Sequence, residues 1–221
     1  MSKTDAPLDR RSDPQGAARR DFLARFFHDL ATPLSAVSLH LEGADRRVRR
    51  GQDPTEPLGI AREELSRAFV LYEQARELLL SEPGLEESFP FDALVAETAA
   101  RADGQIRVEG RTGSRVKGDR RALSEALSAL LANALEASDA SAVAVRVEKS
   151  EARVRARVAN PGRFSGEPES LFSPRVAGKG KKWGMGLPSA RLHAVAAGGT
   201  VSIRQEEDRV VSTLELPEET A

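Results

Sequence analysis

Early in the chain, Leu23, Phe27, Leu30, Leu34, Val37, Leu41, Ala44 and Val48 follow one another at alternating spacings of four and three. That heptad seam predicts a helix packed in a coiled coil or bundle. Pro33 lies inside the seam and predicts a kink. The run Gly51-Gln52-Asp53-Pro54-Thr55-Glu56-Pro57 stops the helix. A second seam follows at once through Leu58, Ala61, Leu65, Ala68, Tyr72, Ala75 and Leu79. Two long helices with a short turn between them make an antiparallel hairpin. Phe22, Phe26, Leu39, Phe69 and Leu78 lie off both seams and need cover, which is expected from a second copy in a dimeric four-helix bundle.

The pattern changes after the linker Ser81-Glu82-Pro83-Gly84. Asp92 to Ala102 reads as a short helix. Gln105 to Arg111 and Ser114 to Lys117 read as short strands around a glycine-containing turn. Asp119 is placed to cap a helix from Arg120 to Ser138, whose inner side carries Leu123, Leu127, Leu130, Leu131, Ala134 and Leu135. Val143, Val145 and Val147 alternate with polar residues, as do Val154, Ala156 and Val158, so a hairpin turning at Lys149-Ser150-Glu151 is expected. Residues 161 to 185 read as a long loop, followed by a helix from Leu187 to Ala197 and strands at Thr200 to Arg204 and Val210 to Leu216. This order predicts an α+β layer with helices on one face of a mixed sheet. The divisions expected are a flexible tail over 1–18, a helical hairpin over 19–82 and an α/β sandwich over 86–218.

Composition narrows the function classes. The 221 residues carry 33 basic and 34 acidic side chains, a formal charge of -1, so no global field recruits nucleic acid or acidic lipid. There is no cysteine, which excludes disulfides and thiolate metal sites. His28, His40 and His193 show no metal-ligand spacing. No apolar run approaches the roughly 20 residues of a membrane span, and the N-terminus has no apolar leader, so a cytoplasmic protein is expected. With only a tail of about 20 residues ahead of the hairpin, no sensor domain is expected before it. Input is then expected from a separate sensor protein, another partner or a ligand.

Candidate chemistry begins at Phe26-Phe27-His28-Asp29-Leu30-Ala31-Thr32-Pro33-Leu34. His28 follows a seam residue and so sits on the flank of the bundle, with Thr32 one turn later on the same face. A neutral imidazole is a good nucleophile, and the neighbouring Asp29 carboxylate can accept its proton. Taken alone, a surface histidine with acidic neighbours is the plainer account. The segment resembles the phosphoacceptor box of sensor histidine kinases, which sits on the first helix of a dimerising hairpin. The resemblance implies phosphorylation of His28, a base role for Asp29, and a dephosphorylating role for Thr32 in positioning water. Ala31 stands where the family usually has a basic residue.

Leu130-Leu131-Ala132-Asn133-Ala134-Leu135 offers a helical Asn whose carbonyl is a hard oxygen ligand. It resembles the Asn box of the same kinases and of the gyrase and mismatch-repair ATPases, implying contacts from Asn133 to Mg and phosphates. Ala129 replaces an Asn common one turn earlier. Gly184-Met185-Gly186-Leu187 opens a helix, where small residues and free N–H groups suit phosphate. With the preceding Arg175, Lys179, Lys181 and Lys182 it resembles the lid and second glycine box of kinase ATP domains. Trp183 lies in the same lid. Ala159-Asn160-Pro161-Gly162-Arg163-Phe164 stands where the family has Asp-x-Gly-x-Gly. Asn160 replaces the Asp that accepts a hydrogen bond from the adenine amino group, Gly162 matches the first Gly, and Phe164 replaces the second. A neutral acceptor is about half as strong as a charged one, a loss of ~1–2 kcal/mol.

The boxes fall in the family's order over about residues 20–217. Together they imply a two-component histidine kinase that uses Mg-ATP and hands its phosphoryl group to an Asp of a response regulator receiver domain. Two other readings remain. One is a histidine phosphotransfer protein of the same architecture with a degenerate, non-functional ATP site, favoured by Asn160 and Phe164. The other is a module that regulates a partner through its hairpin.

Overall fold

The computed structural model describes residues 13–80, 84–138, 143–164, 166–172 and 184–220. Helix α1 spans Pro14–Arg49 and begins inside the segment that reads as a tail. The physical reason is local: Pro14 is pre-set for a first helical turn, and the Asp13 carboxylate accepts from the Gly16 N–H at 2.9 Å. Arg46, Arg47 and Arg49 lie in its last turn, where cations suit the helix dipole, and Gly51 takes the left-handed φ of +67° that ends it. The helix continues through Pro33, which is buried. Helix α2, Thr55–Leu80, runs back along it.

The hairpin splits each heptad in two. Leu23, Leu30, Val37 and Ala44 on α1 are partly or fully buried, as are Ala61, Ala68 and Ala75 on α2. Phe27, Leu34, Leu41 and Val48 are exposed, and so are Leu58, Leu65 and Tyr72. Both sets repeat every seven residues, so the exposed apolar positions form a stripe on each helix beside the closed seam.

The second layer system starts with β1 (Glu86–Pro90), α3 (Phe91–Arg101), β2 (Ile106–Glu109) and β3 (Arg115–Asp119). It continues with α4 (Arg120–Ala137), β4 (Val143–Ser150), β5 (Arg153–Pro161) and a 3-10 turn at Pro168–Phe172. Helix α5 (Gly186–Ala196), β6 (Thr200–Glu206) and β7 (Arg209–Pro217) complete it. The five-stranded sheet has the order β2-β4-β5-β7-β6, parallel only between β2 and β4. β1 and β3 form a separate antiparallel pair. The two strands expected to flank one glycine turn therefore pair with different partners, β2 with β4 and β3 with β1. Pairing is decided by long-range burial and not by the turn between them.

Helices α3, α4 and α5 cover one face of the sheet. Phe91, Leu94 and Val95, then Leu123, Leu127, Leu130 and Leu131, meet Val143, Val145, Val154, Ala156, Val158, Leu214 and Leu216 in one core. Each fully buried aliphatic side chain there contributes roughly 1.5–3 kcal/mol over its exposed state. The opposite face is a ladder of ion pairs, with Arg157 bonded to Glu206 and Arg155 to Glu215. Inward apolar and outward charged residues alternate, as a one-sided sheet requires. No described helix is long and apolar enough to cross a membrane.

Candidate functional site

Helix α4 is capped as expected: the Asp119 carboxylate accepts from the Ala122 N–H at 3.0 Å and also from the Gly84 N–H at 2.8 Å. Its leucine face is buried, which leaves Asn133 half-buried in the penultimate turn. The chain re-enters the sheet at Val143, and the register sets Ala144 of β4 against Ala159 of β5. The C-terminal end of α4 therefore lies at the same end of the sandwich as Asn160. Helix α5 begins at that end too. Its last residues lead to Thr200, opposite Glu215, whereas Glu206 at the far end of β6 pairs with Arg209, itself opposite Pro161. A Cβ on Gly186 would sit 3.3 Å from the Cβ of Ala129, one turn before Asn133. Topology thus brings Asn133, Asn160 and Gly186 to one end of the sandwich.

Asn160 is only 2% exposed. Its Nδ2 donates to the Pro161 carbonyl at 2.9 Å, and its Oδ1 has no protein donor among the described residues. Gly162 follows with φ +132°, a left-handed conformation that suits glycine, and its N–H donates to the Asp208 carbonyl at 2.9 Å. Gln205 then clamps this loop to the β6–β7 turn. Its Nε2 donates to the carbonyls of Gly162, Glu207 and Arg209 at 3.2, 2.9 and 3.0 Å, while its Oε1 accepts from the Phe164 N–H at 3.3 Å. The Phe164 ring packs against the main core. Sequence reasoning missed Gln205 entirely: a polar residue near a strand end carries no pattern that distinguishes a clamp from a solvated side chain.

Gly184 is half-buried and Gly186 opens α5, whose first N–H groups have no intrahelical acceptor. Leu187 is buried in the main core, so only its backbone faces the phosphate-binding role expected of it. Lys179 and Lys181, with Arg175, Lys182 and Trp183, lie outside the described residues. Among the described residues no group of three or more His, Cys, Asp or Glu could hold a metal ion. The donor set fits Mg held chiefly by phosphates and water, with a single hard oxygen from Asn133.

The helical segment adds a contact that the sequence did not predict. Phe22 and Phe26 stack with ring centroids 6.2 Å apart and pack with Leu71, Ala75 and Met185, while Leu192 of α5 lies against the cluster. Their cover comes from the chain's own sandwich and not from a second copy. Leu78 joins the same cluster, whereas Leu39 and Phe69 stay exposed. Around it, Arg25 Nη1 donates to the Glu169 carbonyl at 2.7 Å, and the Arg191 guanidinium binds the Glu169 carboxylate at 2.7 and 3.0 Å. Arg191 also lies 3.5 Å above the Phe172 ring. The hydrogen bonds from Arg191, assisted by the charges of Arg191 and Arg25, hold the Glu169 carboxyl below its usual value against the opposing effect of burial.

His28 and Thr32 are exposed on α1, and Asp29 is half-buried. His28 stands two positions after Phe26, about 200° around the helix at ~100° per residue, and three after Arg25, about 60° from the side that reaches Glu169, so the imidazole lies on the exposed flank of α1 beside the docked sandwich. His193 is half-buried in α5. Burial lowers its pKa despite the nearby Glu125 and Asp119, so the ring is neutral near pH 7. His40 is half-buried on α1, in its C-terminal half.

Residues 118–220 match the family model described as histidine kinase-, DNA gyrase B-, and HSP90-like ATPase. No curated protein matches the chain. Among solved structures, the Acinetobacter baumannii histidine kinase AdeS is 19% identical with a TM-score of 0.55, over 87% of this chain and 98% of that one. A nucleotide-free catalytic domain of histidine kinase ThkA is 26% identical with a TM-score of 0.51, over 61% of this chain and 98% of that one. ThkA in complex with the response regulator TrrA is 22% identical with a TM-score of 0.58, over 97% of this chain and 68% of the other.

Proposed function

From the match of residues 118–220 to the histidine kinase-, DNA gyrase B-, and HSP90-like ATPase model, we propose that this protein is a histidine kinase core whose second layer system binds ATP. It moves the γ-phosphoryl of Mg-ATP onto a His28 nitrogen and then to an Asp of a response regulator receiver domain. The observation that supports this most is the convergence of Asn133, Asn160 and the first turn of α5 at one end of the matched domain.

Each residue then has a role. The free N–H groups at Gly186 and Leu187, with the helix dipole, receive phosphate, and Gly184 lets the backbone approach. The Asn133 carbonyl completes the coordination of Mg, which neutralises the developing phosphate charge when bound. Lys179 and Lys181 add positive charge near the triphosphate. Asn160 accepts a hydrogen bond from the adenine amino group through Oδ1, and Gly162 lets the loop turn beneath the base. Asp29 accepts the proton of His28, and Thr32 positions water when the regulator is dephosphorylated. Positioning supplies most of the rate in such a transfer.

The chain works as a homodimer. The exposed stripes through Leu34, Leu41 and Val48 and through Leu58, Leu65 and Tyr72 pair with those of a second copy in a four-helix bundle. Because His28 is exposed outside the Phe22–Phe26 contact that holds the sandwich, transfer proceeds only after the ATP domain leaves Phe22 and Phe26, or across the dimer onto the partner's acceptor.

The test is incubation of the full chain with Mg and γ-labelled ATP beside a His28→Gln variant. Acid-labile label on the wild type and none on the variant is the expected result. Folded, dimeric wild type that takes no label overturns autophosphorylation and leaves the phosphotransfer alternative. That alternative is then tested with a phosphorylated receiver domain as donor.

A further inference from the structure

Asn160 holds the place of a carboxylate, and the difference is chemical as well as electrostatic. A carboxylate offers only acceptors and a full negative charge. Facing a purine, it attracts the amino group at position 6 of adenine and repels the carbonyl oxygen at position 6 of hypoxanthine or guanine. A buried acceptor of that kind is a strong discriminator, because the wrong base leaves the charge unpaired.

An amide has neither property in full. Its oxygen is neutral, so a facing carbonyl meets a dipole and not a charge. Its other arm is a donor of nearly the same shape, and a half-turn about the last side-chain bond exchanges the two. In this structure the Nδ2 arm is held by one acceptor, the Pro161 carbonyl at 2.9 Å, and Oδ1 is the arm without a protein partner. Adenine is met by the arrangement as it stands. A 6-oxopurine is met by the same arrangement with weak repulsion, or by the exchanged one at the loss of the bond to Pro161. Gln205 holds the backbone of the loop in place in either case, since all its contacts here are to backbone groups.

We propose that Asn160 makes this a purine site of relaxed base specificity, one that takes 6-oxopurine nucleotides as well as adenine nucleotides. The inference rests on the nucleotide assignment above and concerns only which bases that site admits. The family's carboxylate makes position 6 an absolute criterion, whereas the amide makes it a graded one.

The experiment is calorimetric titration of the full chain with Mg-ADP and Mg-IDP, two ligands that differ at position 6 of the ring and in the proton on its neighbouring nitrogen. Diphosphates transfer no phosphoryl group, so the readout is affinity alone. The wild type is expected to bind inosine diphosphate within about thirtyfold of ADP, the loss from one neutral hydrogen bond and some dipole repulsion. An Asn160→Asp variant is expected to widen that ratio at least tenfold by tightening ADP and weakening IDP. A wild-type ratio beyond thirtyfold overturns the inference while leaving the nucleotide site intact. Binding of neither ligand overturns the nucleotide assignment itself. The wild-type ratio decides the question even if the Asp variant does not fold.

Discussion

The sandwich and the hairpin solve the burial problem in opposite ways. In the sandwich, the apolar faces of α3, α4 and α5 close on one side of the sheet, and Leu123, Leu127, Leu130, Val143 and Leu214 are fully inaccessible within a single chain. In the hairpin, half of each heptad is covered and half is not: Leu41 is 48% exposed and Leu65 54%, while Ala44 and Ala68 beside them are buried. The sandwich therefore carries its stability within one chain. The hairpin leaves an apolar stripe on each helix that no described residue of its own chain covers. Under the function proposed above, a catalytic domain that must undock and move is well served by an independent core, and an acceptor helix presented to several partners by a shared one.

That contrast can be broken first in the sandwich. Leu127→Ala removes the contacts of three buried carbon atoms on α4 and is expected to cost about 3–4 kcal/mol in urea denaturation. Leu41→Ala in the hairpin of an isolated chain should cost under about 1 kcal/mol, since its side chain is already in water. Equal losses would erase the distinction.

Next in size is the pair Leu41→Glu with Leu65→Glu. Charges in the centre of the stripe should weaken dimerisation about hundredfold or more in sedimentation equilibrium, with the helical circular dichroism of the dilute chain retained. Unchanged association would remove the four-helix bundle.

A smaller effect is expected at Asp92, which stitches α3 to the turn before β3. Burial raises its pKa, but the N–H groups of Gly113 and Thr112 and the Thr112 hydroxyl outweigh it and the net shift is downward. A carboxyl lowered in the folded state stabilises fully above its unfolded value of 3.8, and that gain is lost as pH falls through the folded value. Asp92→Ala should cost about 1 kcal/mol at neutral pH, after allowance for solvent screening. The gap between variant and wild type in thermal melts should narrow below the unfolded value and close once pH falls below the folded one. A gap constant with pH would assign the loss to packing. Smallest is Gln205→Ala, expected to weaken ADP about threefold while moving the melting temperature by no more than a few degrees. A large melting shift with unchanged affinity would make Gln205 a purely structural clamp.

The elements most legible in the sequence are those whose signal is local. The β4–β5 alternation and the Asp119 cap lie where spacing and side-chain chemistry put them. Helix α1 starts at Pro14 because a cap and a proline outweigh the polar composition of that stretch. β1 was not foreseen: only Phe89 of its five residues is buried, so it shows no alternation. The partners of β2 and β3 depend on contacts across the chain, which no local pattern encodes. At the site, Asn133, Asn160 and Gly186 could be singled out because their residue types carry chemistry. The clamp by Gln205 reaches back 41 and 43 residues, and Glu169 is gripped by Arg191 from 22 residues away and by Arg25 from 144, so no local pattern encodes them and each residue alone looks like an ordinary surface group.

One rigid rod, α1, carries both the grip on the sandwich and His28, the proposed acceptor. Gln15 reaches the Ala196 carbonyl at 3.1 Å, Phe22, Arg25 and Phe26 hold the α5 side, and His28 comes within the next turn of the same continuous helix. The angular phase between grip and acceptor is therefore a count of residues. Adding one residue between Phe26 and His28 would swing the imidazole by about 100° and advance it by about 1.5 Å with no change in either surface. The helix acts as a camshaft, and its timing is written in the chain's own numbering.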